Sequence, residues 1–332
     1  MVGLSHVVLR LLIKEYLPSG ATTFWPTEML NSRRVPSERL DLTPETRRSP
    51  SENHLVPQIL GNEPEPIRLS VERLIEWGAV GVDINMGCPV RKALQHNYGV
   101  ALMGDAAYAA AVVKMASAGS LCPVGVKLRA GLQNDLSYLL GFIDGLVASG
   151  ARWVTLHPRT AEMKRRGRAD WSQIASVVSR FDIPVIGNGD VQVAADVTEM
   201  IRETGCSGVM VGRALTARPW MVWQVGEDLG WKAPEGREGE RAPRSPVEEG
   251  QECGRALLRY IELMGQAYGD LTESLRLRKA RFHIKTMAPW LAFGHELFSR
   301  STRVDSLSEL QEMVGSFFNQ PQEMIPRTEL RQ

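Results

Sequence analysis

The sequence predicts an α/β protein: a (β/α)8 barrel of the TIM type, short of its first strand, followed by a C-terminal helical domain. Three observations lead there. Short apolar segments alternate with amphipathic helical ones from Thr22 to Arg213, as parallel βα units require. Polar and charged side chains recur at the carboxyl ends of those strands, the face on which such barrels build their sites. From Val247 onward the pattern is helical throughout.

In order, Ser5 to Tyr16 has helical spacing, with Val8, Leu11 and Leu12 on one face and Ser5 as a cap. Thr22-Thr23-Phe24-Trp25 reads as a strand that stops at Pro26, and a polar loop rich in Arg, Ser and Pro runs from Asn31 to Asn53. Leu55 to Leu60 is a strand closed by Gly61. Pro66 to Trp77 is a helix with proline near its start. Gly78 to Val82 leads into the strand Asp83-Ile84-Asn85-Met86, followed by Gly87-Cys88-Pro89-Val90. Further strands are expected at Pro123–Arg129, Trp153–His157, Ile183–Gly187 and Gly208–Val211. Helices are expected between them at Asp105–Ser117, Asp135–Ala148, Trp171–Arg180 and Val193–Thr204. That makes seven strands, where a closed barrel needs eight and typically ~250 residues. The missing one would be the first. The expected domains are a barrel over 1–230, a linker over 231–246 and a helical domain over 247–332. The linker is rich in Pro, Gly, Glu and Arg and reads as flexible.

The composition is that of an ordinary globular protein, with 43% hydrophobic and 23% charged residues in 332. A net charge of +1 leaves nucleic-acid binding to local clustering. The four cysteines, Cys88, Cys122, Cys206 and Cys253, form no Cys-x-x-Cys pair. That argues against zinc or a disulfide framework and for a reducing cytoplasm. The run Val7–Lys14 is broken by Arg10 and is not a signal peptide. No apolar run is long enough to span a membrane.

The organising stretch is Asp83 to Val90. It displays a thiol at the mouth of the sheet, with Gly87 allowing close backbone approach and Pro89 fixing the chain beyond. On that stretch alone, a small buried cysteine before a turn explains the residues as well. The wider pattern favours a site. Gln58, Asn85, Cys88, Lys127, Arg129, His157, Asn188 and Arg213 all fall at or just past strand ends. The turns Asn188-Gly189-Asp190 and Gly212-Arg213 suit a phosphate, through glycine backbone amides, a helix N-terminus and the Arg213 guanidinium fork. Lys127 and His157 sit deeper, where a cation can tune a flavin ring. An ordinary thiol is mostly protonated at neutral pH and can act as a general acid. Arg159 follows His157, and Arg165 lies in the basic run Lys164–Arg168. Arg276, Arg278, Lys279, Arg281, His283 and Lys285 form a second cluster beside Phe282 and Trp290. Such runs are solvated faces or phosphate-gripping surfaces.

These residues carry a resemblance to the tRNA-dihydrouridine synthases. The matching stretches are Pro57–Gly61, Asp83–Pro89, Gly99–Met103, Val126–Gly131, His157–Thr160, Ala169–Trp171, Pro184–Asp190 and Thr204–Arg213, in the family's order. The resemblance implies an FMN-binding barrel and a helical tRNA-binding domain in a monomeric enzyme without metal. It implies that Gln58, Lys127, His157, Asn188, Gly189, Asp190, Gly212 and Arg213 hold the flavin, that Asn85 holds the uracil and that Cys88 is the catalytic acid. Arg129, Arg159, Arg165, Arg278, Arg281 and Lys285 would face the tRNA. In the implied reaction NADPH (or NADH) reduces FMN, hydride passes from N5 to C6 of uracil, and Cys88 protonates C5. The target base must leave its stack to reach the flavin.

Three departures stand out. The family's opening strand ends in Ala-Pro-Met, whereas Met1–Ser5 matches only the tail of that motif, as if the start were assigned late or a barrel strand were lacking. Arg165 stands where many relatives have Tyr. Arg91-Lys92 follows the Cys88 motif where Ser-Lys or Ala-Lys is common. Two other functions fit the residues: a flavin oxidoreductase acting on a free pyrimidine, and a non-catalytic RNA-binding protein.

Overall fold

The computed structural model describes residues 1–164 and 166–329. Its centre is one all-parallel sheet of seven strands in chain order. They are β1 (Trp25–Asn31), β2 (Leu55–Leu60), β3 (Val82–Met86), β4 (Val124–Arg129), β5 (Trp153–His157), β6 (Val185–Asn188) and β7 (Gly208–Met210). The sheet curls as part of a barrel and the helices cover its outer side.

The helices of this half are α1 (Val7–Lys14), α2 (Pro64–Trp77), α3 (Arg91–Gln95), α4 (Ala106–Ser117), α5 (Leu136–Ala148), α6 (Trp171–Arg180), α7 (Ala194–Thr204), α8 (Ala214–Ala217) and α9 (Met221–Asp228). Aspartates cap three of them: Asp105, Asp135 and Asp170 accept from the amides of Tyr108, Tyr138 and Ser172. Each satisfies an orphan amide of a first turn and stops the helix from starting earlier. Gly78 and Gly205, both left-handed, end α2 and α7.

One strand differs from expectation. The sequence reading ended the first strand at Pro26, but β1 begins at Trp25 and runs through Pro26 to Asn31. β1 is at the edge of the sheet, and its register with β2 shifts between Pro26 and Met29. An edge position with a bulge is where a strand tolerates proline. Residues 1–5 lie between β1 and the turn that follows β7. The Gly3 amide donates to Glu28 Oε2 on β1 at 2.6 Å, and Met1 Sδ lies 3.5 Å from where a Cβ on Gly212 would stand.

Beyond residue 246 come α10 (Pro246–Ala267), α11 (Glu273–Met287), α12 (Gly294–Ser301) and α13 (Leu307–Phe318). Ser245 and Glu248 close a capping box at the start of α10. This half is joined to the first by a buried ion pair. Arg218 Nε meets Glu249 at 3.0 Å, and Glu249 also accepts from Trp220 Nε1 and Gln224 Nε2. Segment 231–246 is not the loose linker expected. Arg237 pairs with Glu252 at 3.2 Å and Arg244 with Asp228 at 2.5 Å, so the segment is a strap across α9 and α10. Arg237 and Arg244 are the charges of this segment seen to pair with a neighbouring helix, through Glu252 of α10 and through Glu227 and Asp228 of α9. Among the described residues no helix is long and apolar enough to cross a membrane, and no group of three metal-ligating side chains is gathered.

Candidate active site

Strand alternation explains how the site is populated. Along β3, Val82, Ile84 and Met86 enter the apolar core. Asp83 and Asn85, two residues apart, share the opposite face. Gln58 pairs with Asp83 in register, Asn85 with Lys127, and Arg129 with His157. Neighbouring strands thus line up Gln58, Asp83, Asn85, Lys127 and His157 across the sheet.

Four hydrogen bonds join Asp83, Gln58 and Asn85 to the Gly87–Cys88 backbone. Gln58 Nε2 donates to Asp83 Oδ2 at 2.5 Å. Asn85 Nδ2 donates to Gln58 Oε1 at 2.8 Å. Asn85 Oδ1 accepts from the Cys88 amide at 2.9 Å and the Gly87 amide at 3.2 Å. Asn85 Nδ2 also reaches Met29 Sδ at 3.3 Å. Both ends of the Asn85 amide are therefore engaged within the protein. Cys88 itself is 9% exposed and sits in a small apolar cluster with Ala93 and Tyr98, flanked by Met29 and Leu60.

Gly99 closes this pocket from behind. It has φ +59°, and a Cβ there would stand 2.6 Å from the Cys88 carbonyl oxygen. The Val100 amide donates to that same oxygen at 3.1 Å. The resemblance matches Gly99 without a role, and the sequence reading gives Asp83 none. An acid two residues before Asn85, on the same face of a buried strand, was the available signal.

Charge is concentrated here. Burial pushes Asp83 up to about 6, opposed by the Gln58 hydrogen bond and by Lys127. Burial brings Lys127 down to about 8, with Asp83 opposing and Arg129 assisting. His157 falls to about 2, through burial first and then through Lys127, Arg129, Arg159 and Arg213. It is a neutral imidazole at any ordinary pH, surrounded by four cations.

The remaining expected residues divide into groups. Gly189, at φ +118°, packs so that a Cβ would meet His157 Cδ2 and Ala169 Cβ at 2.9 Å. Its carbonyl accepts from Trp171 Nε1 at 3.1 Å. Asn188 Nδ2 donates to the Met210 carbonyl at 2.7 Å and links β6 to β7. Asp190 pairs with Arg159 at 2.5 Å and accepts from the Ala169 amide. Gly212 and Arg213 lie at the start of α8, beside Met1.

Arg129 and Arg159, expected to face tRNA, are each only 6% exposed. Arg129 donates to the carbonyls of Gly87, Thr160 and Lys164, and Arg159 to that of Gly167. Their guanidinium groups brace the loops of the mouth. Arg278 and Lys285 are exposed on α11. Arg281, one turn from each, turns inward to the carbonyls of Ser301 and Val304. Arg165 lies outside the described residues. A cavity of about 1330 Å³ opens beside this rim, lined by Arg166, Arg168, Trp171, Asp190 and Arg327 among others. It does not include Cys88.

A parallel α/β sheet with a cysteine clamped through its backbone, a lysine and a neutral histidine at its carboxyl edge defines an enzyme-type strand-end site. The comparisons identify the family. Residues 1–314 match the family model described as dihydrouridine synthase, and the chain belongs to that family. It is 33% identical over 224 residues to a probable tRNA-dihydrouridine synthase 1 of Synechocystis sp., covering 67% of this chain and 62% of that one. It is 28% identical over 265 residues to tRNA-dihydrouridine synthase B of Pseudomonas aeruginosa, covering 80% and 76%. With a probable tRNA-dihydrouridine synthase of Mycobacterium leprae it shares 30% over 295 residues, covering 87% and 73%. The chain thus spans about six tenths of the length of the Synechocystis relative.

Proposed function

We propose that this chain reduces uridine in tRNA to 5,6-dihydrouridine, with FMN bound at the strand ends, NADPH or NADH as reductant and Cys88 as proton donor. One observation carries the reading. Cys88 is clamped through its backbone beside Asn85, whose strand neighbour in register is the half-buried Lys127. A proton donor and a cation therefore flank one mouth. The relatives' names supply the substrate class.

The residues suit an anionic, planar group. Lys127, Arg129, Arg159 and Arg213 all act on His157, so the mouth carries a positive field. Gln58, Lys127, His157, Asn188, Gly189, Asp190, Gly212 and Arg213 would hold the flavin. When bound, FMN supplies the hydride. Cys88, 9% exposed, would deliver the proton from Sγ. Lys127 stabilises negative charge developing beside it. The helices from Pro246 onward would form the tRNA-binding part, with Arg278 and Lys285 gripping phosphates. The enzyme would act as a monomer in the cytoplasm, in keeping with four unpaired cysteines.

The test uses the purified chain with FMN, NADPH and unmodified tRNA, and dihydrouridine is read by nucleoside mass spectrometry. Cys88→Ala is expected to keep bound flavin and to lose at least a hundredfold in turnover, within the range attributed to a general acid. Wild-type protein that binds flavin but forms no dihydrouridine on any tRNA would overturn the proposal.

A further inference from the structure

We infer that Asp83 is a positioning residue: its carboxylate sets the direction of the Gln58 and Asn85 amides and thereby holds the Cys88 backbone in place. The inference rests on the reading of Cys88 as proton donor, but its geometry stands independently.

An amide side chain has a donor end and an acceptor end, and only its partners decide which way it faces. An ionised carboxylate can only accept. Facing Asp83 Oδ2, Gln58 must therefore present Nε2, which turns Oε1 toward Asn85. Asn85 must then present Nδ2 to Gln58, which turns Oδ1 toward the amides of Gly87 and Cys88. Asp83, Gln58 and Asn85 are 4%, 8% and 6% exposed, so water does not readily substitute for a missing partner. If residue 83 could donate, Gln58 could turn over. Its Nε2 would then face Asn85 Nδ2, and relief of that clash would set Asn85 Nδ2 against the Cys88 amide. Two donors would meet at the clamp, and the thiol loop would shift. Oδ1 of Asp83 has no hydrogen-bond partner. The carboxylate is thus held in place by the Gln58 contact and by the nearby charge of Lys127. Arg129 reaches the same loop from the other side, through the Gly87 carbonyl.

The experiment measures the alkylation rate of Cys88 by iodoacetamide, resolved from the other cysteines by peptide mass spectrometry. It needs neither tRNA nor turnover. Three proteins are compared: wild type, Asp83→Asn, and the charge-swapped pair Asp83→Asn with Gln58→Glu. In the pair, the new Asn donates to the new Glu, which accepts from Asn85, so every bond downstream keeps its direction. Asp83→Asn is expected to change the Cys88 rate at least fivefold and to speed amide hydrogen exchange at Gly87 and Cys88. The pair is expected to return both to within twofold of wild type. A rate unchanged in Asp83→Asn overturns the inference, as does a folded pair that fails to recover. If Asp83→Asn does not fold, the pair decides alone: wild-type alkylation supports the relay, and an unfolded or altered pair overturns it. A relay that passes while tRNA is not reduced would sink the proposed function and leave this inference standing.

Discussion

Gly99 presses on Cys88 so closely that the first carbon of any side chain would stand 2.6 Å from the Cys88 carbonyl oxygen. At φ +59° the residue also occupies the left-handed region that a side chain strains. Gly99→Ala is therefore expected to lower stability by about 1–3 kcal/mol. It should also displace the thiol loop and cut tRNA reduction more than tenfold while flavin stays bound. Urea unfolding and flavin absorbance check the two halves separately.

The Arg159–Asp190 pair braces the ends of β5 and β6. Arg159→Met leaves Asp190 without its cation, and the expected loss is about 2 kcal/mol. That is below the figure for a fully buried pair, because the Asp190 side chain is 30% exposed. Chemical denaturation measures it. An effect confined to tRNA affinity, with stability unchanged, would return Arg159 to the substrate surface.

Stability should fall on mild acidification. His6, His157 and His283 all have folded values depressed by burial, to about 2 for His157 and about 3 for His283. Groups with depressed values contribute stability above their ordinary 6.5 and lose it as pH falls toward the folded value. From pH 6.5 to 5.5 His157 and His283 together cost about 2 kcal/mol, and His6 acts in the same direction. Asp83 works the other way: its value is raised to about 6, so it gains stability on protonation and offsets about 1 kcal/mol of that loss. Urea midpoints at the two pH values test the sum, and His283→Phe should reduce the drop by about 1 kcal/mol.

On α11 the basic residues should separate by role. Arg278→Ala with Lys285→Ala is expected to weaken tRNA binding and to reduce the salt slope by about two. Arg281→Ala should instead lower thermal stability, since its guanidinium holds the carbonyls of Ser301 and Val304. Filter binding across a salt series, with melting curves, distinguishes them.

Elements with local determinants were legible from residues alone. α6 was read end for end, because Asp170 caps it and its apolar stripe is clean. β5 was equally plain. β1 is not legible locally, because proline reads as a stop and only the sheet-edge position with its register shift makes Pro26 acceptable. The polar residues of the mouth were found, yet the tasks of several could not be. Arg129 and Arg159 sit at strand ends like solvent-facing arginines, and nothing local reveals that loops fold over them onto carbonyl oxygens. Asn85 was assigned to the uracil by resemblance, whereas its amide is engaged by Gln58, Met29 and the two amides of the clamp. Such partners come from three separate stretches of chain, and pairing of that kind leaves no periodic trace.

The strap over residues 231–246 and the Arg218–Glu249 pair tie the two halves together through ion pairs. If tRNA rests on α11 as proposed, those ties set the reach from that helix to the sulfur. The nucleoside presented at the mouth would then be chosen by distance along the RNA, as by a ruler, rather than by the letters around it.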